Sequence, residues 1–164
     1  MTVIPLRSPP RLADRAYVVL LGLLVGAQIA VGVLVAPAIF AVIPDRTLAG
    51  TVAGEIFTRL GWVSLAVLPV LWLLQWNQSV AAGTRASRWW RLPLPLMLAL
   101  TAVGHLGLRP WIAAVRAEVQ ARGGFEVCPP ALKAQFGMLH GASSLVFLAV
   151  AVLGVSLLLR LRVR

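Results

Sequence analysis

The amino-acid sequence predicts an all-α fold: an integral membrane four-helix bundle with up-down-up-down topology, formed by a single transmembrane domain over residues 1–164. Hydrophobic residues make up 60% of the chain and charged residues only 12%, and the mean hydropathy is +0.90. These values lie far from those of a soluble domain. The apolar residues also form four runs, each near the ~20 residues that a helix needs to cross a bilayer.

The four runs predict four membrane spans, joined by short polar segments that hold most of the arginines. In chain order the predicted spans are 17–43, 52–76, 92–108 and 136–159. The first run is much longer than the ~7–15 residues of a signal-peptide core, so we expect it to remain as a span. Within it, Gly22 and Gly26 form a GxxxG pair that favours close helix contact. Pro37, near the end of this run, is expected to kink or end the helix. Gln28 lies near the middle of the bilayer and is expected to face the bundle, since an unpaired amide in hydrocarbon is costly.

The second and third spans carry their own start and stop signals. Asp45 or Thr47 is a plausible N-cap for the second helix, and Gly50 with Gly54 forms a second GxxxG pair. After the third span, residues 111–122 form an amphipathic segment with apolar residues on one stripe and Arg116 among the residues opposite. This segment is either an extension of the third helix or a helix that lies in the membrane interface.

The distribution of basic residues predicts the orientation of the bundle. One side of the predicted bundle holds nine arginines and one acidic residue: Arg7, Arg11, Arg15, Arg85, Arg88, Arg91, Arg160, Arg162, Arg164 and Asp14. By the positive-inside rule, both termini lie in the cytoplasm, as in a protein of a bacterial inner membrane, and residues 111–122 are extracytoplasmic. The net charge of +10 is split between short clusters, so we expect no nucleic-acid binding.

Five ionisable side chains are predicted to converge at the extracytoplasmic end of the bundle. They are Glu55, Arg59, His105, Arg109 and His140. Glu55 and Arg59 are four residues apart and can pair on one helix face. Ionisable residues inside a membrane are costly and suggest a functional site.

These side chains leave several interpretations open. His105 and His140 could ligate a haem iron, although the sequence has no CxxCH attachment motif. Copper would need Cys128, Met138 and His140, but the last two point about 200° apart on a helix. The cluster could instead line a small polar cavity of a transporter that handles protons or anions. We expect no catalytic residue, since no nucleophile and base form a recognisable motif.

Packing is the interpretation that the residues favour most. In it, Glu55 and Arg59 pair, Arg109 extends to lipid headgroups, and His105 hydrogen-bonds a neighbouring helix. His140 would lie against the Pro37 region and near Glu55. The leading prediction is therefore a non-catalytic structural or interaction protein without cofactor or metal. Its partners would be the lipid bilayer and, through the GxxxG faces, other membrane proteins or a second copy.

Three motifs resemble those of the transmembrane protein 205-like family, a group of small four-span membrane proteins without an agreed activity. The matching segments are VAPAIF at 35–40, AGTVAGEIF at 49–57 and FGMLHGAS at 136–143. The matched residues include Pro37, Phe40, Gly50, Gly54, Gly141 and Ser143. The resemblance implies that the first motif ends the first helix and that the three motifs meet at the extracytoplasmic end of the bundle.

Overall fold

The computed structural model describes residues 12–81 and 92–161, with side chains described outside 78–81, and confirms the all-α prediction. Four helices follow one another: α1 Leu12–Val42, α2 Arg46–Ala81, α3 Pro93–Ala121 and α4 Pro130–Leu161. All four are long and apolar enough to cross a membrane. Most of the arginines used to predict the orientation lie outside the described residues, namely Arg7, Arg11, Arg85, Arg88, Arg91, Arg162 and Arg164.

Each helix packs against its neighbours in the chain, and α1 also packs against α4, so the helices form a closed bundle. We call the end that holds the 43–45 turn and the 122–129 connection the site end. Asp45 caps α2 there, because its Oδ1 atom accepts hydrogen bonds from the backbone N–H groups of Thr47 at 2.8 Å and Leu48 at 3.2 Å. The N-cap is therefore Asp45 rather than Thr47.

Two apolar clusters hold the bundle together. The larger cluster fills the half away from the site end with residues of all four helices: Tyr17, Leu21, Leu24, Val25, Leu68, Leu71, Leu94, Met97, Val150 and Leu157. The smaller cluster joins α3 to α4 near the site end and contains Val115, Val119, Cys128, Leu132 and Leu139. Many other large apolar side chains are exposed on the outside, among them Leu23, Leu73 and Leu145. Such a surface suits contact with lipid tails.

Two helices contain a π-helical segment that ends two positions before a proline. In α1 it covers Ala30–Val35, and the N–H group of Ala36 bonds to the carbonyl of Val31; in α3 it covers Val103–Leu108. A proline inside a helix lacks an N–H donor and clashes with the carbonyl four residues earlier. The wider π register accommodates this defect, so the helices continue through Pro37 and Pro110. The first motif therefore lies inside α1 and does not end it.

The amphipathic segment at 111–122 extends α3, one of the two arrangements that the sequence left open. Gly123 and Gly124 end the helix with φ angles of +92° and +100°. The predicted apolar stripe of this segment is only partly buried. Val115 and Val119 are buried, but Trp111 is 66% exposed.

Candidate functional site

A cavity of about 1060 Å³ occupies the site-end half of the bundle and is lined by all four helices. Its volume is at the upper end of the range of small-molecule binding sites. Apolar side chains form much of the wall, including Phe57 of α2 with Phe147 and Val150 of α4. Phe57 and Phe147 pack edge to face with their centroids 5.1 Å apart. Both π segments also contribute to the lining, which fits the frequent placement of π-helical turns at functional sites.

The floor of the cavity lies where three helices meet at Gly154 of α4. A Cβ atom at Gly154 would lie 2.6 Å from Cγ2 of Val25 in α1 and 3.3 Å from Cε of Met97 in α3. Gln28 follows Val25 by three residues, and Thr101 follows Met97 by four, so both come about one helical turn closer to the site end. Both side chains line the cavity directly above this apolar floor.

The polar groups at the floor are only partly satisfied. The sequence argument that Gln28 faces the bundle agrees with its exposed fraction of 3%. However, its Oε1 atom is buried without a hydrogen-bond partner, and so is Oγ1 of Thr101. Ser64 differs, because its hydroxyl donates to the carbonyl of Leu60 at 2.7 Å. Two buried oxygen atoms at the floor therefore lack a hydrogen-bond partner, although buried polar atoms in proteins nearly always have one.

Arg116 crosses from α3 to α2 and lies against the Gly50 and Gly54 pair. Its Nη1 atom donates a hydrogen bond to the carbonyl of Gly50 at 3.0 Å. A Cβ atom at Gly50 would be 3.4 Å from Nη2, and one at Gly54 would be 3.5 Å from Nη1. The guanidinium also lies 5.7 Å from the ring centroid of Phe136, within cation–π range. Arg116, which the sequence places opposite the apolar stripe of this segment, therefore faces α2.

Arg109 lines the same cavity and does not extend to lipid headgroups as the packing interpretation expects. Its Nη1 atom is buried and has no hydrogen-bond partner. Glu55 attracts this guanidinium and Arg116 repels it. Within the described part of the chain, neither Arg109 nor Arg116 has a carboxylate within ion-pair distance. Besides Arg46, the two guanidinium groups of α3 therefore share one cavity, and neither forms an ion pair within the described residues.

His105 packs against α2 at the side of the cavity. A Cβ atom at Gly61 would overlap the His105 ring, and the ring lies edge to face with Trp62 at a centroid distance of 4.6 Å. A hydrogen bond to a neighbouring helix was expected, but the contact with α2 is a ring contact, and no hydrogen bond of His105 is seen in the described residues. Gly61 is therefore required for this close approach.

His140 also lines the cavity, but its surroundings differ from the predicted ones. Its ring is stacked parallel to Phe136 with centroids 6.0 Å apart, and the residue is exposed. No atom lies within 4 Å of a Cβ placed on Gly141, so this glycine does not permit a close contact. The expected neighbours Pro37 and Glu55 are both absent from the cavity lining.

Glu55 and Arg59 form the predicted i, i+4 ion pair on α2. Nε of Arg59 lies 3.0 Å from Oε1 of Glu55, and the two side chains are 79% and 58% exposed. Neither residue lines the cavity. Of the five predicted cluster residues, the structure therefore brings His105, Arg109 and His140 to one cavity and leaves the other two on the outer surface.

The residues of the family motifs fall into two groups. Phe40, Gly50, Gly54 and Ser143 line the cavity. Pro37 and Gly141 are exposed and do not. The three motifs therefore do meet at the site end, although two of their residues face away from the cavity.

Arg116 and Thr101 line the cavity but are not among the predicted site residues, although their spacing carries a signal. Thr101, His105 and Arg109 follow one another at intervals of four, and Arg116 comes seven residues later. These intervals place residues on one face of a helix. The predicted third span ends at Leu108, which separates Arg116 from the others.

The described residues give no support to a metal centre built from several protein ligands. They contain no group of three or more His, Cys, Asp and Glu side chains that could hold a metal ion. Of the candidate copper ligands, Cys128 is only 4% exposed while Met138 is 69% exposed. His140 could at most act with His105, the other histidine that lines the cavity.

Comparison with known proteins gives one match. A family model described as a domain of unknown function (DUF4149) matches residues 19–121, from within α1 to the last residue of α3. Searches of the curated proteins and of the solved structures find no significant match. The matched region contains Arg109 and Arg116, while His140 lies beyond it.

Proposed function

The chain belongs to the family described as a domain of unknown function (DUF4149), and we propose that it is a non-catalytic membrane protein whose cavity binds an organic anion. One observation carries this proposal. Nη1 of Arg109 is buried without a partner in a cavity that contains a second guanidinium. A guanidinium has only donors and stays charged, so an anion is the partner it lacks.

The charges around the cavity support an anionic ligand. Glu55, the carboxylate that attracts Arg109, is already bonded to Arg59. Two other carboxylates lie in the lining, but Oδ1 of Asp45 caps α2, and Glu126 lies in the connection between α3 and α4. An unpaired buried charge is costly, and two of like sign repel each other as well. A carboxylate or phosphate would accept bonds from both arginines, and such charge-assisted bonds are strong.

The walls support a ligand that also has an apolar part. The wall around Phe57, Phe147 and Val150 has no charged group, and the helices that form it are apolar enough to lie in a membrane. An amphiphilic anion would place its charged group at the arginines and its apolar part against these rings. A small inorganic anion would leave most of the cavity unfilled.

The orientation and family relationship belong to the same proposal. We place the protein in a bacterial inner membrane with both termini in the cytoplasm, so the cavity opens on the extracytoplasmic side. The positive-inside rule supports this orientation. The motifs around Phe40, Gly50 and Ser143 support a relationship to the transmembrane protein 205-like group.

Binding of decanoate tests the proposed function. We expect purified protein in nanodiscs to bind decanoate more tightly than the uncharged decan-1-ol. Arg109→Gln should weaken decanoate binding about tenfold or more, because a hydrogen bond to a charged group contributes about 1.5–3 kcal/mol. Arg122→Gln is the matched control, since the half-exposed Arg122 is paired with Glu118 and lies outside the lining. Equal binding of decanoate and decan-1-ol, or equal effects of the two variants, would contradict the proposal.

Haem is a second candidate, because His105 and His140 line the same cavity as the two arginines. Imidazole can ligate haem iron, and arginines could pair with the propionate groups. The test is the visible spectrum of protein purified from haem-replete cells. A Soret band that is lost in His140→Ala would favour haem over a colourless organic anion, and a colourless protein would exclude haem.

A further inference from the structure

The floor of the cavity also contains buried polar atoms that have no hydrogen-bond partner. Oε1 of Gln28 and Oγ1 of Thr101 are buried without partners, and Gln28 is only 3% exposed. An amide oxygen can only accept a hydrogen bond, so Gln28 lacks a donor where Arg109 lacks an acceptor. The cavity is therefore polar at both ends, with complementary requirements at each.

The separation of the two polar ends along the bundle is set by α3. Thr101 and Arg109 are eight residues apart, and at the rise of an α-helix their Cα atoms lie about 12 Å apart along the axis. The wall between these levels includes the rings of Phe57 and Phe147. A ligand that satisfies both ends therefore has an anionic group, an apolar middle and a hydrogen-bond donor at the far end.

A simple acyl chain fits this cavity poorly. Its methyl end would reach the floor and leave the buried Gln28 oxygen without the donor that it lacks, so the cost of that unsatisfied oxygen would remain. A hydroxyl group at the same place would donate to Gln28 and could also bond to Thr101. Ser64, at the same end of the cavity, already donates to Leu60 and retains lone pairs to accept a further bond.

We propose that Gln28 and Thr101 form a second polar subsite, and that the ligand is an amphiphilic anion with a hydroxyl group about 12 Å from its charge. This inference rests on the proposed anion binding and specifies the class of ligand. Gln28 belongs to α1 and Thr101 to α3, so one hydroxyl at the floor would join two helices that pack on α2 and α4.

Three carboxylates of equal chain length provide the test: decanoate, 10-hydroxydecanoate and 3-hydroxydecanoate. We expect 10-hydroxydecanoate to bind to the protein in nanodiscs about three- to tenfold more tightly than decanoate, the factor that one neutral hydrogen bond contributes. The 3-hydroxy isomer carries its hydroxyl beside the carboxylate and should show no such advantage. Equal affinity for all three would overturn the subsite while leaving anion binding intact.

Variants at the floor then assign the effect to particular side chains. Thr101→Val keeps the shape of the side chain and removes its hydroxyl, so it should reduce the advantage of 10-hydroxydecanoate while decanoate binds as before. Gln28→Leu should abolish the advantage. Thr51→Val is the control, because Thr51 is exposed and bonds to the carbonyl of Thr47. An advantage that persists in both floor variants would overturn the assignment. Loss of decanoate binding in Arg109→Gln separately tests the anion site.

Discussion

Nη1 of Arg116 donates a hydrogen bond across 66 positions of sequence to the main-chain carbonyl of Gly50, at 3.0 Å. The bond connects the last third of α3 to the start of α2, and the Gly50 and Gly54 pair leaves room for the guanidinium. Pairs of glycines four apart usually suggest contact between two helix backbones. Here the pair accommodates a charged side chain, so the motif shapes the cavity and does not bring a second helix close.

Replacement of Arg109 by methionine is expected to stabilise the empty protein. The substitution removes a buried donor that has no partner, and the gain should be about 1 kcal/mol or more. The measurement is the free energy of unfolding in detergent without added anion, followed by circular dichroism. Arg59→Met serves as the control and should change stability little, because exposed ion pairs contribute about 0–1 kcal/mol. A clear loss of stability in Arg109→Met would indicate that Arg109 supports the fold.

Alanine at Gly61 is expected to destabilise the bundle. Its Cβ atom would overlap the His105 ring, which is also held by Trp62. Overpacking of this kind costs about 1–3 kcal/mol. Gly141→Ala provides a matched comparison, since nothing lies within 4 Å of its Cβ position and alanine is the better helix former. We therefore expect a lower melting temperature for Gly61→Ala and an equal or higher one for Gly141→Ala.

Cysteine labelling can test the orientation, but Cys128 is a poor probe because it is 4% exposed. Its neighbour Val127 is 69% exposed. A Val127→Cys variant in a Cys128→Ala background should react with a membrane-impermeant maleimide added outside intact cells with a permeable outer membrane. Reaction only after the inner membrane is opened would reverse the proposed orientation.

The Gly22 and Gly26 face offers a test of self-association. Within the described residues, no atom comes within 4 Å of a Cβ atom on either glycine, so this face makes no close contact inside the bundle. Gly26→Ile is therefore expected to leave the unfolding temperature unchanged. If two copies associate through this face, the variant should also lose the cross-linked dimer in membranes. An unchanged dimer yield would exclude this face as the contact.

Hydropathy was sufficient to predict the fold because a bilayer requires long apolar helices with internally satisfied backbones. The same rule predicted that Gln28 would turn inward, which its burial agrees with. The start of α2 could also be predicted to within two residues, because Asp45 is a strong N-cap residue. These features depend on local chemistry that is visible in the sequence.

The length of α3 and the set of residues that line the cavity were harder to predict. The sequence left open whether α3 continues past Pro110, and the π turn before this proline allows the helix to continue to Ala121. Arg116 then comes inward, where only the tertiary arrangement provides Gly50 as its partner. Similarly, Glu55 and Arg59 satisfy each other locally, and nothing in their spacing indicates that they stay outside the cavity.

The π segment of α3 also sets the rotational phase of everything that follows it. Each residue turns an α-helix by about 100°, and a π turn holds one residue more than an α turn. If Val103–Leu108 took the regular α register with all six residues kept, Arg109 and Arg116 would swing around the helix axis by about that angle. The span would remain long and apolar, but both guanidinium groups would leave the cavity together. The register of one short segment thus separates a membrane helix that carries this site from one that only crosses the bilayer.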